Sequence, residues 1–284
     1  MESPKQGIGH KRVLIRRHGL TVRLSHWLNV LCMTALLFSG LQIFNAHPAL
    51  YWGQYGADAD PSVFSLGAAE DGKTIRGVTR IGSLAFDTTG VLGVSAVDGE
   101  ATARGFPAWI TLPSYQDLAT GRRWHFFFAW LFVINGLIYM AYGCIARHFR
   151  QYLLLARDEL SPGNLRHEIV DHARLRFPKG EKARSYNAIQ KLTYLLVIFF
   201  LLPMMVATGL TMSPGFDAFA PWLPDLFGGR QSARTLHFIT ASALLAFVIV
   251  HVAMVLVSGV FNNMRSMITG RYVIVVDDRT EIQP

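Results

Sequence analysis

Charged residues are scarce in this sequence, and cysteine is scarcer still. Of 284 residues, 16% are charged and two are cysteines, whereas 51% are hydrophobic and the mean hydropathy is +0.29. So little charge excludes an ordinary soluble domain of this length and predicts a protein embedded in membrane lipid. The net charge of +8 would suit nucleic acid, but basic residues in an apolar chain are typical of cytoplasmic loops, so no nucleic-acid partner is expected.

Long hydrophobic runs account for the apolar composition. Crossing about 30 Å of hydrocarbon takes roughly 20 helical residues. Four stretches are long enough: residues 24–45, 124–145, 192–212 and 236–261. The first follows a basic N-terminus, as a signal peptide would, but its apolar run is too long and no A-x-A cleavage site follows, so we expect it to be retained. The sequence therefore predicts one all-α integral membrane domain over residues 1–284, built as a four-helix bundle.

The basic residues are divided unevenly between the two sides that four spans define. Nineteen of the 27 Lys and Arg residues lie in 1–25, 146–191 and 262–284, and eight lie in 47–123 and 213–234. Because Lys and Arg are enriched in cytoplasmic loops, both termini and the 146–191 loop are predicted to be cytoplasmic. The long 47–123 insertion would then be periplasmic, and the location a bacterial inner membrane.

Four of the ten histidines fall within the predicted spans: His26, His125, His237 and His251. A lone membrane histidine most often hydrogen-bonds to another helix, because polar side chains in lipid must be satisfied. His237 and His251 are 14 residues apart, so they share a helix face and differ in height by about 21 Å. The direction of the spans pairs His125 with His237 near the outer surface. It pairs His26 with His251 nearer the inner surface.

Two facing histidines at each of two levels predict two b-type haems. Opposed imidazole nitrogens are what a six-coordinate haem iron requires, whereas zinc would need three or four ligands clustered at one level. No C-x-x-C-H motif is present, and Cys32 and Cys144 lie in separate spans, so covalent c-type attachment is excluded. His148 is the alternative ligand if His26 does not serve.

Glycines and arginines near the histidines fit this interpretation. Gly40 shares a helix face with His26, and Gly136 shares one with His125, so both could make room for a porphyrin. Small residues are equally common where membrane helices touch. Basic residues within a turn of the histidines are candidates for pairing with haem propionates or for anchoring in lipid headgroups: Arg23, Arg122, Arg123 and Arg234.

Short motifs around these residues resemble the bacterial cytochrome b561 superfamily. They are R-L-S-H-W at 23–27, W-H-F at 124–126, Y-N-A-I-Q-K at 186–191 and the H-x13-H pair in the fourth span. The likeness is to the membrane subunits of nickel-iron hydrogenases, formate dehydrogenases and thiosulfate reductases, and it covers all four spans. It implies one haem b between His125 and His237 on the outer side. It implies a second between His26 and His251 on the inner side.

The resemblance also implies a quinone as the exchangeable electron carrier. In formate dehydrogenase membrane subunits, the motif similar to Y-N-A-I-Q-K borders a quinone site near the inner haem. Asn187 and Gln190 are therefore candidates for hydrogen bonds to quinone carbonyls. The alternative is that both residues cap or anchor the third helix. Association of two copies as a homodimer is left open.

An electron relay is the function that these features predict. An iron with two imidazole ligands has no open position for substrate, so the chain would carry single electrons between the quinone pool and a partner. The 47–123 insertion departs from hydrogenase-type subunits, and we expect it to dock a periplasmic redox subunit, such as a molybdopterin or hydrogenase-like oxidoreductase. Two alternatives are a self-contained quinone-linked b561 oxidoreductase acting on superoxide or ferric iron, and a haem-free protein whose histidines carry protons.

Three shorter segments lie outside the spans. Residues 152–160 are predicted to form an amphipathic interfacial helix. Residues 214–228 are rich in aromatic side chains, which predicts an element at the membrane interface. Residues 272–276 are predicted to form a short strand.

Overall fold

The computed structural model describes residues 10–56, 60–72, 74–174, 176 and 186–277. The helices are α1 Leu20–Phe44, α2 Leu118–Ile145, α3 His148–Tyr152, α4 Pro162–Ala173, α5 Ala188–Leu196, α6 Leu202–Thr211, α7 Pro214–Phe219, α8 Arg230–Val257 and α9 Val260–Thr269. The strands are β1 His10–Arg16, β2 Ala49–Leu50, β3 Phe64–Asp71, β4 Thr74–Ile81, β5 Leu84–Asp87, β6 Val94–Val97, β7 Glu100–Ala103 and β8 Arg271–Asp277.

Four helical segments are long and apolar enough to cross a membrane: α1, α2, α8 and the continuous segment Ala188–Thr211, which contains α5 and α6. Large apolar side chains on α2, including Phe127, Trp130 and Ile134, are exposed, as contact with lipid requires. The predicted fourth span ran to residue 261, but α8 ends at Val257 because Gly259 adopts a left-handed conformation, with φ of 112°, and precedes a separate helix. The chain is a multi-pass membrane protein.

The third membrane segment changes its winding part of the way along. Between α5 and α6 it passes through a π-helical turn, Val197–Leu201. Pro203, in the first turn of α6, has no N–H to offer the carbonyl four residues earlier. The wider π turn accommodates that missing hydrogen bond, so the segment continues as a helix.

The all-α prediction is wrong for the 47–123 insertion, which is a folded β structure. It contains an antiparallel sheet in the order β2-β3-β4-β5 and the hairpin β6-β7. A Cβ on Gly77 would lie 2.2 Å from the Leu92 carbonyl oxygen, and one on Gly93 would lie 2.3 Å from that of Gly67. Only glycine permits backbones to approach so closely. Glycines at these positions therefore make the strand packing of the insertion possible.

The insertion is fastened to the ends of α1 and α8. Phe44, Leu50 and Leu66 form a buried cluster against which Phe238 packs. The Asn45 side chain accepts a hydrogen bond from the Phe106 amide and donates one to the Phe106 carbonyl. The insertion therefore shares a hydrophobic core and hydrogen bonds with the helix ends.

The structure assigns secondary structure to each of the three short segments. The predicted helix at 152–160 is wrong, because the segment is a turn between α3 and α4, and Pro162 begins the second of these helices. The 214–228 segment contains α7 and a 3-10 turn, Pro224–Phe227. The C-terminal strand is confirmed as β8, which pairs antiparallel with β1.

The chain divides into two compact units. The insertion unit comprises Leu28–Gly136 and Leu201–Leu244, and it includes a buried cluster of Cys32, Ala35, Phe128 and Phe132. The terminal unit comprises Met1–Trp27, Leu137–Phe200 and Leu245–Pro284. Each unit draws residues from all four membrane segments.

Candidate haem sites

The four histidines of the membrane helices form the two predicted pairs. In the insertion unit, the ring centroids of His125 and His237 are 6.4 Å apart and the ring planes make an angle of 62°. In the terminal unit, the centroids of His26 and His251 are 6.3 Å apart and the planes make an angle of 55°. Each predicted pair therefore lies within a single unit.

This spacing fits an iron between the two rings of each pair. Metal–nitrogen bonds of about 2 Å, with about 1.1 Å more from each nitrogen to its ring centre, would place the two centroids ~6.2 Å apart. A porphyrin supplies four ligands itself, so it needs only two from the protein. No group of three or more His, Cys, Asp or Glu side chains among the described residues could hold a bare metal ion. The donor set fits haem.

Two buried hydroxyl groups touch the His125–His237 pair. Ser39 Oγ lies 3.1 Å from Nδ1 of His125, and Thr208 Oγ1 lies 3.0 Å from Nδ1 of His237. Both hydroxyl residues are fully buried. Their contact with histidine could not be predicted from the sequence, because most Ser and Thr residues in membrane helices bond only to a carbonyl of their own helix. The available signal was a hydroxyl residue followed directly by glycine, on α1 and again on α6.

Those glycines bring the histidine rings close to α1 and α6. A Cβ on Gly40 would lie 3.4 Å from Cε1 of His125, and one on Gly209 would lie 3.2 Å from Cε1 of His237. Gly40 therefore makes room for a histidine ring, whereas the sequence suggested room for a porphyrin. A Cβ on Gly136 would meet nothing within 4 Å, which leaves open space at that position.

The His26–His251 pair has different neighbours. The His26 ring meets Trp27 edge to face at 5.2 Å, and the His251 ring stacks on Phe247 at 5.8 Å. Nδ1 of His26 is buried without a hydrogen-bond partner in the described part of the chain. An orphaned buried nitrogen is costly, and a bound group could satisfy it.

The candidate propionate partners differ in what their guanidinium groups already contact. Arg234 donates to two backbone carbonyls at the start of the insertion and lies over the Phe44 ring. Arg23 donates from Nη2 to the Ile268 carbonyl, while its Nε is buried without a partner among the described residues. Arg123 is exposed. Arg23 thus has one buried N–H without a hydrogen-bond acceptor among the described residues, whereas Arg234 already donates to backbone carbonyls from both of its terminal nitrogens.

Asn187 and Gln190 form the capping box of α5. Oδ1 of Asn187 accepts from the Gln190 amide at 2.9 Å, and Oε1 of Gln190 accepts from the Asn187 amide at 3.3 Å. Capping was the alternative interpretation of these residues. The structure shows that their side-chain oxygens do cap the helix. Their two NH₂ groups make no hydrogen bond within the part of the chain that the structure describes.

His148 and His18 lie in the terminal unit outside the membrane segments. The ring of His148, the alternative ligand, lies against Tyr152 at 4.9 Å and Tyr142 at 5.6 Å, and burial lowers its pKa. Burial, followed by the charge of Arg17, lowers the pKa of His18 to about 4. His18 is therefore uncharged at neutral pH, which no sequence pattern indicated.

A multi-pass membrane protein whose half-buried histidines face each other in pairs belongs, as a class, to the membrane cytochromes. The chain is a member of the prokaryotic cytochrome b561 family, whose model matches residues 17–270, so a b-type haem is its cofactor. A relative named as a protein-methionine-sulfoxide reductase subunit, YedZ1, from Azospira oryzae is 35% identical over 150 residues, which cover 52% of this chain and 70% of the relative. No solved structure gives a significant match.

Proposed function

We propose that this chain is a di-haem membrane subunit that relays electrons between the quinone pool and a periplasmic redox subunit. The observation that carries the proposal is the near-equal spacing of two histidine pairs, 6.4 Å and 6.3 Å between centroids. Haem b held by two imidazoles supplies one-electron transfer and offers no open position to a substrate. His125 and His237 would hold one haem. His26 and His251 would hold the other.

The terminal sheet supports the proposed orientation in a bacterial inner membrane. Strand β1 precedes α1, strand β8 follows α9, and the two strands pair along their whole lengths. Pairing of the two ends requires both to lie on one side, as four spans predict. The excess of Lys and Arg on that side supports a cytoplasmic location for the termini.

The folded insertion is the proposed docking element for the partner. Strand β5 is the last strand of its sheet, and its Leu84 and Phe86 side chains are 61% and 48% exposed. A sheet edge with exposed apolar side chains is a common docking element. The relative's name as a reductase subunit supports an oxidoreductase as the partner, with methionine sulfoxide in proteins as its candidate substrate.

Lysine at both Leu84 and Phe86 is expected to abolish docking of that partner, because two buried charges would be introduced at the interface. Co-purification of the two proteins from membranes measures the effect. Leu14→Lys is the matched control, since Leu14 is also an exposed strand leucine but belongs to the terminal sheet. Unchanged co-purification of the double variant would remove this surface from the interface.

Changing Asn187 to Asp and Gln190 to Glu is expected to weaken quinol oxidation while leaving α5 intact. The substitutions keep both capping oxygens and remove both NH₂ donors, which are the groups free to bond a quinone carbonyl. Steady-state reduction of the haems by a quinol analogue should show a raised KM, with thermal stability unchanged. Wild-type kinetics in the double variant would restrict both residues to helix capping.

A further inference from the structure

The hydroxyls beside His125 and His237 have fixed hydrogen-bond directions. Each hydroxyl has a single hydrogen, and Ser39 donates it to the Ala35 carbonyl at 2.6 Å. Thr208 likewise donates to the Met204 carbonyl at 2.6 Å. Both oxygens can therefore only accept from the histidines that face them.

The histidine tautomer follows from those directions. Nδ1 of both His125 and His237 must carry the hydrogen. A neutral ring protonated at Nδ1 presents the lone pair of Nε2, which is the form that binds a metal.

The same device occurs on two different helices. Ser39 is followed by Gly40 on α1, and Thr208 is followed by Gly209 on α6. In each case the glycine lets the histidine ring approach the helix, and the hydroxyl receives its Nδ1–H. Ordinary bonding of a hydroxyl to its own helix requires neither the glycine nor the histidine.

The other histidine pair lacks this support. Nδ1 of His26 has no partner in the described part of the chain. A hydrogen bond from Nδ1–H makes an imidazole a more basic ligand. A more basic ligand stabilises ferric over ferrous iron, so the hydroxyls would act on one haem alone.

We propose that Ser39 and Thr208 are positioning residues that hold His125 and His237 in the metal-binding tautomer and lower the reduction potential of the haem between them. The inference rests on the proposed function, which places a haem at this pair. It adds the two residues that distinguish this haem from the one at the other pair.

A redox titration of Ser39→Ala and Thr208→Val tests the inference. The full-length, haem-loaded protein is titrated, and the haem that is lost in His125→Ala identifies the relevant potential. Each variant should favour reduction of that haem by about tenfold in the equilibrium constant, which is ~59 mV for one electron, with the other haem unchanged. Thr34→Ala is the control, because its hydroxyl bonds only to the Val30 carbonyl of the same helix.

The conservative variants Ser39→Thr and Thr208→Ser keep the hydroxyl and should keep the wild-type potential. If an alanine or valine variant loses its haem, these two variants decide the matter, since a normal potential in them supports the role of the hydroxyl. Variants that retain two haems with unshifted potentials overturn the inference and leave the proposed function standing. Absence of haem from the wild-type pair would instead overturn the proposed function itself.

Discussion

Replacing His125 with alanine is expected to remove one of the two proposed b haems and to stop the proposed electron transfer between quinone and the partner. A bis-imidazole iron that loses one ligand binds its haem far more weakly, because the porphyrin is then held from one face. Reduced-minus-oxidised spectra and haem content per chain measure the loss. His237→Ala should behave in the same way.

The second pair supplies a complementary variant. His251→Ala should remove the other haem and leave the spectrum of the His125–His237 haem in place. His167→Ala is the control, because that side chain is 74% exposed and pairs with Asp171 at 3.3 Å. Loss of both haems in each single variant, with the protein still folded, would contradict two independent sites.

Replacing Arg104 with alanine is expected to lower the free energy needed to open the insertion by about 3 kcal/mol. The Arg104 side chain is 5% exposed and donates four hydrogen bonds, to the Phe106 and Ser114 carbonyls and to the side chains of Gln42 and Thr111. Alanine would leave the Ser114 carbonyl and the side-chain oxygens of Gln42 and Thr111 without this donor, whereas the Phe106 carbonyl would keep its bond from Asn45. Buried unpaired acceptors are destabilising. Limited proteolysis of the insertion should become about a hundredfold faster, because cleavage follows the population of the opened state.

Arg80→Ala is the matched control for that experiment. Arg80 belongs to β4 of the same insertion but is exposed. Exposed substitutions away from specific contacts usually change stability by no more than about 0.5 kcal/mol. Equal proteolysis rates for the two variants would show that the Arg104 hydrogen bonds do not hold the insertion in place.

The membrane helices and the histidine pairs could be predicted from the sequence because each depends on a regular physical rule. Hydrocarbon thickness sets the length of a span. The rise of an α-helix sets the positions of His237 and His251 along α8. Residues far apart in the chain, such as His26 and His251, could be paired because lipid permits few arrangements of polar side chains.

The insertion and the hydroxyl contacts could not be predicted, for different physical reasons. Four of the six strands of the insertion have only two to four residues. Their packing depends on close backbone approaches at Gly77 and Gly93 that no periodic pattern encodes. Ser39 and Thr208 satisfy a local carbonyl as well as a distant histidine, and the local bond alone would explain them. Both the strand packing of the insertion and the hydroxyl–histidine contacts depend on residues that are separated in the sequence.

The haem content of the wild-type chain tests the central claim most directly. A pyridine haemochrome assay on purified protein of known concentration should give about two b haems per chain, one for each histidine pair. The oxidised protein should also show the low-spin spectrum of iron with two imidazole ligands. A value of one haem or none per chain, in protein produced with haem in excess, would contradict the relay proposed for these two pairs.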